Sequence, residues 1–281
     1  MALMRDAARR DGESGFVLLV VILGLAILAV LALGLVLATK PGVRAAHAAL
    51  EASKMHALAD AVITLTAVSL LDTAQPTRPR VDGIGQVTSI LGHKIWIKVT
   101  SEFGKVDLNV ADSATLTRFF EAAGLGPAPA SEEARRIIVW RTAGKGAIIH
   151  RFFRSIAEIT WVKGITRTLY RRIASSITVY SARGRVDRTT APLLALQSIA
   201  GIDRLTAESI VRDRLNGQAG VTAGEIVRGR LVPGTNITGW AFSIDARFSV
   251  DGQHEHTEAV IRITGDPARP YFVLWRDDTP E

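Results

Sequence analysis

From Phe16 to Ala38 the chain runs for 23 residues without a charge or a strongly polar side chain. At about 1.5 Å per residue such a helix rises about 34 Å, enough for a hydrocarbon core of about 30 Å. No other stretch is as long and as apolar, so a polytopic membrane protein is excluded. Thr39-Lys40-Pro41-Gly42 ends the run. Before it, Met1–Gly15 carries Arg5, Arg9 and Arg10, and the positive-inside rule puts that end in the cytoplasm. Lys40 and Arg44 on the far side keep the bias modest. The run also explains the composition: 48% hydrophobic and 22% charged residues, with a mean hydropathy of +0.21. The chain's 281 residues are about two domains' worth on a length prior. Its apolar content excludes disorder. The absence of Cys excludes a disulfide scaffold and thiol chemistry, and leaves the redox compartment open.

The run has three readings. A cleaved secretory signal has an apolar region of about 7–15 residues; this run is longer, although Val36-Leu37-Ala38 could mimic a cleavage site. A plain single-pass anchor is the second. The third comes from the junction, where Glu13-Ser14-Gly15 meets Phe16-Val17-Leu18-Leu19 abruptly. A short polar leader, a Gly, a Phe and then an unbroken apolar helix resemble the processing site of type IV prepilins. The resemblance implies that a prepilin peptidase cuts after Gly15 on the cytoplasmic side and that Phe16 becomes the methylated N-terminus. Most pilin-like subunits carry Glu as the fifth mature residue, which here is Val20. A carboxylate at the membrane centre costs about 2.5–3.5 kcal/mol on insertion scales, and in pilins it meets the terminal ammonium of a neighbouring subunit. A subunit lacking it resembles the K-type minor pseudopilin of type II secretion systems, which sits at the filament tip.

Val43 to Leu71 continues in helical style, with apolar residues at Leu50, Met55, Leu58, Val62, Leu65 and Val68, several of them three or four apart. Pro41 suits a kink or the first turn of a new segment. An ordinary core helix after an anchor would read the same way; the pilin resemblance implies one long helix, half in the membrane and half packed on a sheet. Gln75-Pro76-Thr77-Arg78-Pro79 closes it. Gln86–Leu91 and Lys94–Thr100 predict a hairpin turning at Gly92-His93. In Ala241–Val250, Phe242, Ile244, Ala246 and Phe248 alternate with polar residues. Asp251-Gly252 signals a turn, and Glu258–Gly265 with Tyr271–Arg276 completes a three-strand meander.

An internal repeat lies between these strands. Gly104-Lys105-Val106-Asp107-Leu108-Asn109-Val110-Ala111-Asp112 aligns without gaps with Gly184-Arg185-Val186-Asp187-Arg188-Thr189-Thr190-Ala191-Pro192. Each copy leads into a predicted helix, over Asp112–Ala123 and Thr190–Ile199. A glycine follows each, Gly124 and Gly201, and then a second helix, starting at Ser131-Glu132-Glu133 and Thr206-Ala207-Glu208. Two copies are too few for a solenoid. Between them, Ser155 and Glu158 have the spacing of a capping box.

Here the resemblance becomes specific. Phe153-Arg154-Ser155, then Glu158-Ile159 with Val162, Gly164-Ile165-Thr166, then Thr178-Val179-Tyr180-Ser181, Gly184–Asp187 and Thr190-Ala191-Pro192 resemble the helical domain of the general secretion pathway protein K family, and the resemblance spans nearly the whole chain. It implies an α+β fold: a long N-terminal membrane-spanning helix packed on an antiparallel pilin-like sheet, with a large inserted helical domain of SAM-like or helix-hairpin-helix-like character. The implied parts are a leader (1–15), a transmembrane helix (16–38), its periplasmic half (39–75), first strands (81–110), the helical insertion (111–235) and last strands (240–281). The implied partners are the I- and J-type minor pseudopilins, the pseudopilus, prepilin peptidase and the inner membrane, with the C-terminal part in the periplasm. That role includes no reaction, so the chain is not expected to be an enzyme. Two departures matter. Asp107 stands where the family has Asn, and Val139-Trp140-Arg141-Thr142 lacks the family's Asp. Members of the family can bind calcium, which wants six to eight oxygens. The sequence shows no acidic cluster of that kind, so no metal or cofactor is expected.

Other chemistry is weaker. Ile159–Ile173 and Leu196–Arg214 resemble helix-hairpin-helix units, and a pI near 10.1 with a net charge of +7 suits a polyanion. A membrane-anchored DNA-binding protein is therefore an alternative, as is a type IV pilus minor subunit. However, each hairpin has one of the two expected glycines, Gly164 and Gly201, and Asp203 would face the phosphate, so no nucleic acid is expected. His254-Glu255-His256 with Glu258 adjoins the Asp251-Gly252 turn, shows no evident third ligand and reads as a solvated hairpin tip. Asp277-Asp278 reads as a polar tail and Gly83-Ile84-Gly85 as a loop. No nucleophile elbow, Walker loop, zinc-protease motif or triad spacing is present.

Overall fold

The computed structural model describes residues 3–72, 78–142, 151–216, 226–250 and 252–280. The chain falls into two units, residues 1–58 and 59–281. Its first element, α1 (Leu3–Leu71), crosses that division. In the first unit every side chain from Phe16 to Leu33 is exposed. A helix apolar on all sides belongs in an apolar medium.

In the second unit α1 becomes one-sided. Ala59, Val62, Ile63, Thr66, Ala67 and Leu70 are buried, while Leu65 and Val68 are exposed. Positions three and four apart share a face, and small Ala and Thr let the backbone lie close to what it covers. The expected stripe therefore needs correcting. Of its six residues, Met55, Leu58 and Val62 are buried, whereas Leu50, Leu65 and Val68 are exposed. Apolar residues occur on more than one side of this helix, so spacing alone does not separate the covered face from the exposed one.

The strands are β1 (Gln86–Ile90), β2 (His93–Ser101), β3 (Val106–Asp107), β4 (Ile177–Thr178), β5 (Ile226–Val227), β6 (Arg230–Leu231), β7 (Ala241–Val250), β8 (Gln253–Ile263) and β9 (Tyr271–Pro280). Five of them form one antiparallel sheet in the order β1-β2-β7-β8-β9. Ile95, Ile97 and Val99 on β2, Phe242, Ile244, Ala246 and Phe248 on β7, and Ala259, Ile261 and Ile263 on β8 are buried at alternate positions. Two polar contacts tie α1 to the far edge. The Thr64 and Tyr271 hydroxyls lie 2.9 Å apart, and Arg276 Nη1 donates to Asp60 Oδ1.

Three boundaries differ from expectation. The first hairpin turns at Leu91-Gly92, both at positive φ (+50° and +84°), because a two-residue loop between twisted strands needs that conformation. β8 begins at Gln253, so His254, Glu255 and His256 lie in a paired strand rather than at a solvated tip. Asp277 and Asp278 belong to β9 rather than to a tail, since Thr257 Oγ1 and Arg276 Nε both donate to Asp278. Asp251 of the expected turn lies outside the described residues. Ser243 and Asp245 also differ from a half-buried strand, being buried on the second face of β7. At Ser243 the cause is the segment after β2. Lys105 Nζ donates to Glu102 Oε1 at 2.6 Å and to Ser243 Oγ at 2.8 Å, and Ser243 donates to Glu102.

Between β2 and β7 lie α2 (Ser113–Ala122), α3 (Pro127–Thr142), α4 (Arg167–Ile173), α5 (Leu193–Gln197) and α6 (Arg204–Leu215). Their core is apolar and tight: Leu108, Leu116, Phe119, Phe120, Ile137, Ile159, Ile173 and Leu196 are fully buried. Each such side chain stabilises by about 1.5–3 kcal/mol. Helix starts again differ from expectation. α3 begins at Pro127, whose missing N–H costs nothing at a first helical position; Ser131-Glu132-Glu133 is therefore inside it. α6 begins at Arg204 with Asp203 as its cap, its Oδ1 accepting from Thr206 N at 2.9 Å. Ser155 caps a 3-10 helix, Ile156–Trp161, while Glu158 reaches back to Arg154 N rather than to Ser155.

Candidate functional site

Two features carry a functional reading. The first is the apolar end of α1. The window Phe16–Leu33 has a mean hydropathy of 3.3 and none of it is buried. Phe16 is 68% exposed and Val20 is 50% exposed, and no carboxylate occurs between them. Gly15 lies in the helical backbone next to Phe16. An apolar, uncovered helix of this length is compatible with a membrane anchor.

The second is the duplicated unit, which has a common local structure. In the first copy Asp107 Oδ1 accepts from Asn109 N at 2.8 Å, and its carbonyl accepts from Ala111 N at 2.9 Å. In the second, Asp187 Oδ1 accepts from Thr189 N at 2.8 Å, and its carbonyl accepts from Ala191 N at 3.0 Å. The aspartate mimics a backbone turn and aims the chain into a helix. Leu116 N then bonds to Asp112 O at 3.0 Å, and Leu196 N to Pro192 O at 2.9 Å.

Each unit is closed by an arginine that the internal repeat did not single out. Arg141 donates to Leu108 O at 3.0 Å and Ala111 O at 2.7 Å. Arg214 donates to Arg188 O and Ala191 O, both at 3.0 Å. Leu108 and Arg188 are repeat equivalents, as are Ala111 and Ala191, so the two arginines hold matching carbonyls. Burial lowers the pKa of both guanidinium groups. Asp107 and Asp112 oppose the shift at Arg141; Asp82 and Asp187 oppose it at Arg214.

The copies also meet. Arg118 Nε donates to Ser198 O at 2.7 Å and Asp187 N to Phe103 O at 2.8 Å. Gly104 is required here, since a Cβ would stand 2.6 Å from the carbonyl carbon of Thr190. A strand is present in one copy only: β3 pairs in parallel with β4, whereas Val186-Asp187 pairs with no strand among the described residues.

The hairpin glycines are placed poorly for phosphate. Gly164, at φ +105°, is covered by α3: a Cβ there would collide with Glu133 Oε1, and Arg136 Nη1 donates to Lys163 O at 2.9 Å. Gly201 is open, but the N–H of Thr206 behind it is taken by Asp203, whose pKa is lowered by the Thr206 hydrogen bonds. On β8, His256 Nε2 lies 3.0 Å from Asp245 Oδ1. Among the described residues no group of three or more His, Asp or Glu is placed to hold a metal ion.

No protein-family model matches the sequence, and no curated protein matches it. Among solved structures, a chain in the crystal structure of the GspK-GspI-GspJ complex from the enterotoxigenic Escherichia coli type 2 secretion system is similar to this one. The likeness covers 84% of this chain and 98% of that chain, with 13% identity and a TM-score of 0.48.

Proposed function

We propose that the chain is a K-type minor pseudopilin of a type II secretion system, a subunit of the pseudopilus tip that supports protein export across the outer membrane. The observation that carries the reading is α1 itself. The helix is apolar and uncovered after the Gly15-Phe16 junction, lacks a carboxylate at Val20, and ends as a one-sided helix with a buried stripe from Ala59 to Leu70.

In this reading Met1–Gly15 is cytoplasmic, the apolar helix sits in the inner membrane and the remainder is periplasmic. Prepilin peptidase removes the leader, and Phe16 is methylated. Val20 cannot receive a neighbour's terminal ammonium, so this subunit does not bind a successor as a Glu-bearing subunit does, which suits an end position. The helical block between β2 and β7 adds bulk that further subunits would have to clear. No reaction is assigned to the chain, and no metal or cofactor is included. The DNA-binding alternative is disfavoured by the carboxylates of Glu133 and Asp203 at the two hairpins.

Co-expression with I- and J-type minor pseudopilins tests the proposal. A complex containing all three, isolated from detergent-solubilised inner membrane through a tag on this chain, is expected. If the tagged chain comes away from both partners while they still bind each other, the reading is wrong.

A further inference from the structure

Residues 181–188 read Ser181-Ala182-Arg183-Gly184-Arg185-Val186-Asp187-Arg188, and Arg183, Arg185 and Arg188 are all exposed. None of the three forms an ion pair among the described residues. The loop is held from beneath. Asp107, 1% exposed, accepts from Ser181 Oγ at 2.9 Å and from Ala182 N at 2.8 Å. Ala182 is fixed at φ +52°, a conformation that side-chain-bearing residues rarely adopt. The turn delivers Arg183 onto an aromatic base. Its guanidinium carbon lies 3.6 Å from the ring centre of Phe103 and 5.7 Å from that of Trp240. Stacking spends the face of the guanidinium and leaves its N–H edge available for planar acceptors. A recess of about 380 Å³ opens between Phe103, Arg183, Gly184, Arg185 and Asp187.

We propose that this loop is a docking site for an extended, acidic segment of a partner protein, whose carboxylates pair with Arg183 and Arg185 while Arg188 extends the cationic strip. Alternate residues of an extended segment are about 7 Å apart, and the Cα atoms of Arg183 and Arg185, also alternate, cannot be further apart than that. Planar carboxylates match the free N–H edge of the stacked Arg183 guanidinium. Preorganisation by Asp107 and by the aromatic base removes part of the ordering cost that flexible arginines incur on binding. The inference does not depend on the role proposed for α1.

The test uses the full-length protein in neutral detergent at low ionic strength, with a fluorescein-labelled alternating Glu-Ala peptide as probe. Saturable binding is expected, weakening as salt rises. The variant Arg185→Glu with Arg188→Glu should lower affinity roughly tenfold or more and leave the melting temperature unchanged, since neither side chain contacts the core. Arg183→Lys keeps the charge but loses the planar stack, and should lower affinity several-fold. Three results would overturn the proposal: no peptide binding by the native chain, equal binding by the Arg185/Arg188 variant, or tighter binding of a short DNA duplex or of phosphatidylglycerol vesicles through the same arginines.

Discussion

The two copies of the repeated unit share their geometry but not their weight. Both set an aspartate turn, a first helix, a glycine at positive φ and a second helix whose last turn returns an arginine to the turn's carbonyls. The first copy adds a strand, the ten-residue α2 with Phe119 and Phe120 fully buried, and the sixteen-residue α3. The second has a five-residue α5 and a twelve-residue α6 with only Ala207 and Arg214 buried. Its clamp is nonetheless the deeper one. Arg214 is 4% exposed, and Arg80, which pairs with Asp82 at 2.5 Å, donates to the Arg214 carbonyl at 3.0 Å. The lesson is that the first copy is held by apolar packing, whereas the second is held by a buried polar anchor.

The leucines at equivalent positions should show the largest difference. Leu116 and Leu196 are both 0% exposed. Leu116→Ala should cost about 4 kcal/mol and Leu196→Ala about 3 kcal/mol, because the long helices around Leu116 resist collapse into the cavity and the single short turn of α5 does not. Thermal unfolding followed by tryptophan fluorescence gives the order; the reverse order would break the comparison.

The clamps should rank the other way. Arg214→Ala leaves two carbonyls without partners in a buried setting and should cost about 3 kcal/mol, against about 2 kcal/mol for Arg141→Ala. If Arg141→Ala is the more damaging in the same unfolding measurement, the second copy has no polar anchor of the kind described.

The caps should show the smallest effect. Asp112 Oδ1 accepts from Thr115 N at 2.7 Å, whereas its equivalent Pro192 offers no side-chain cap. Asp112→Ala should cost about 1 kcal/mol at neutral pH. The Thr115 hydrogen bonds hold the Asp112 pKa below its ordinary value. Its contribution is therefore complete above the unfolded-state pKa, about 3.9, and is lost as pH falls through the folded value. The native and variant chains should begin to converge as pH falls below about 4 and meet only below the folded value. Asp107 behaves oppositely: burial raises its pKa, so its ionisation opposes folding as pH rises through that value. A gap between native and Asp112→Ala chains that widens in acid would contradict the cap.

Much of this was legible in the residues. The Gly, Asp and Ala shared between Gly104–Asp112 and Gly184–Pro192 mark the common turn, since a side-chain acceptor just ahead of a free N–H is a local device. The alternation of apolar and polar residues in Ala241–Val250 gives β7, although Ser243 and Asp245 on its second face are buried as well. Arg141 and Arg214 were not legible. They fall out of register with the repeat, because both helices of the second copy, α5 and α6, are shorter than α2 and α3. The covered face of α1 is only half legible, because Leu65 and Val68 are as apolar as Val62 and Ile63; only the sheet decides which are covered. The placement of Arg183 depends on Asp107, which lies in the other copy of the repeat. Nothing local in the sequence signals that support.

The central claim is that α1 enters the membrane as a processed pilin-type helix starting at Phe16. The intact mass and N-terminal residue of the chain, expressed with and without a prepilin peptidase, test it most directly. The account predicts a peptidase-dependent loss of Met1–Gly15 and a chain that begins at Phe16. A leader retained in the presence of an active peptidase, or a cut after Ala38, would contradict it.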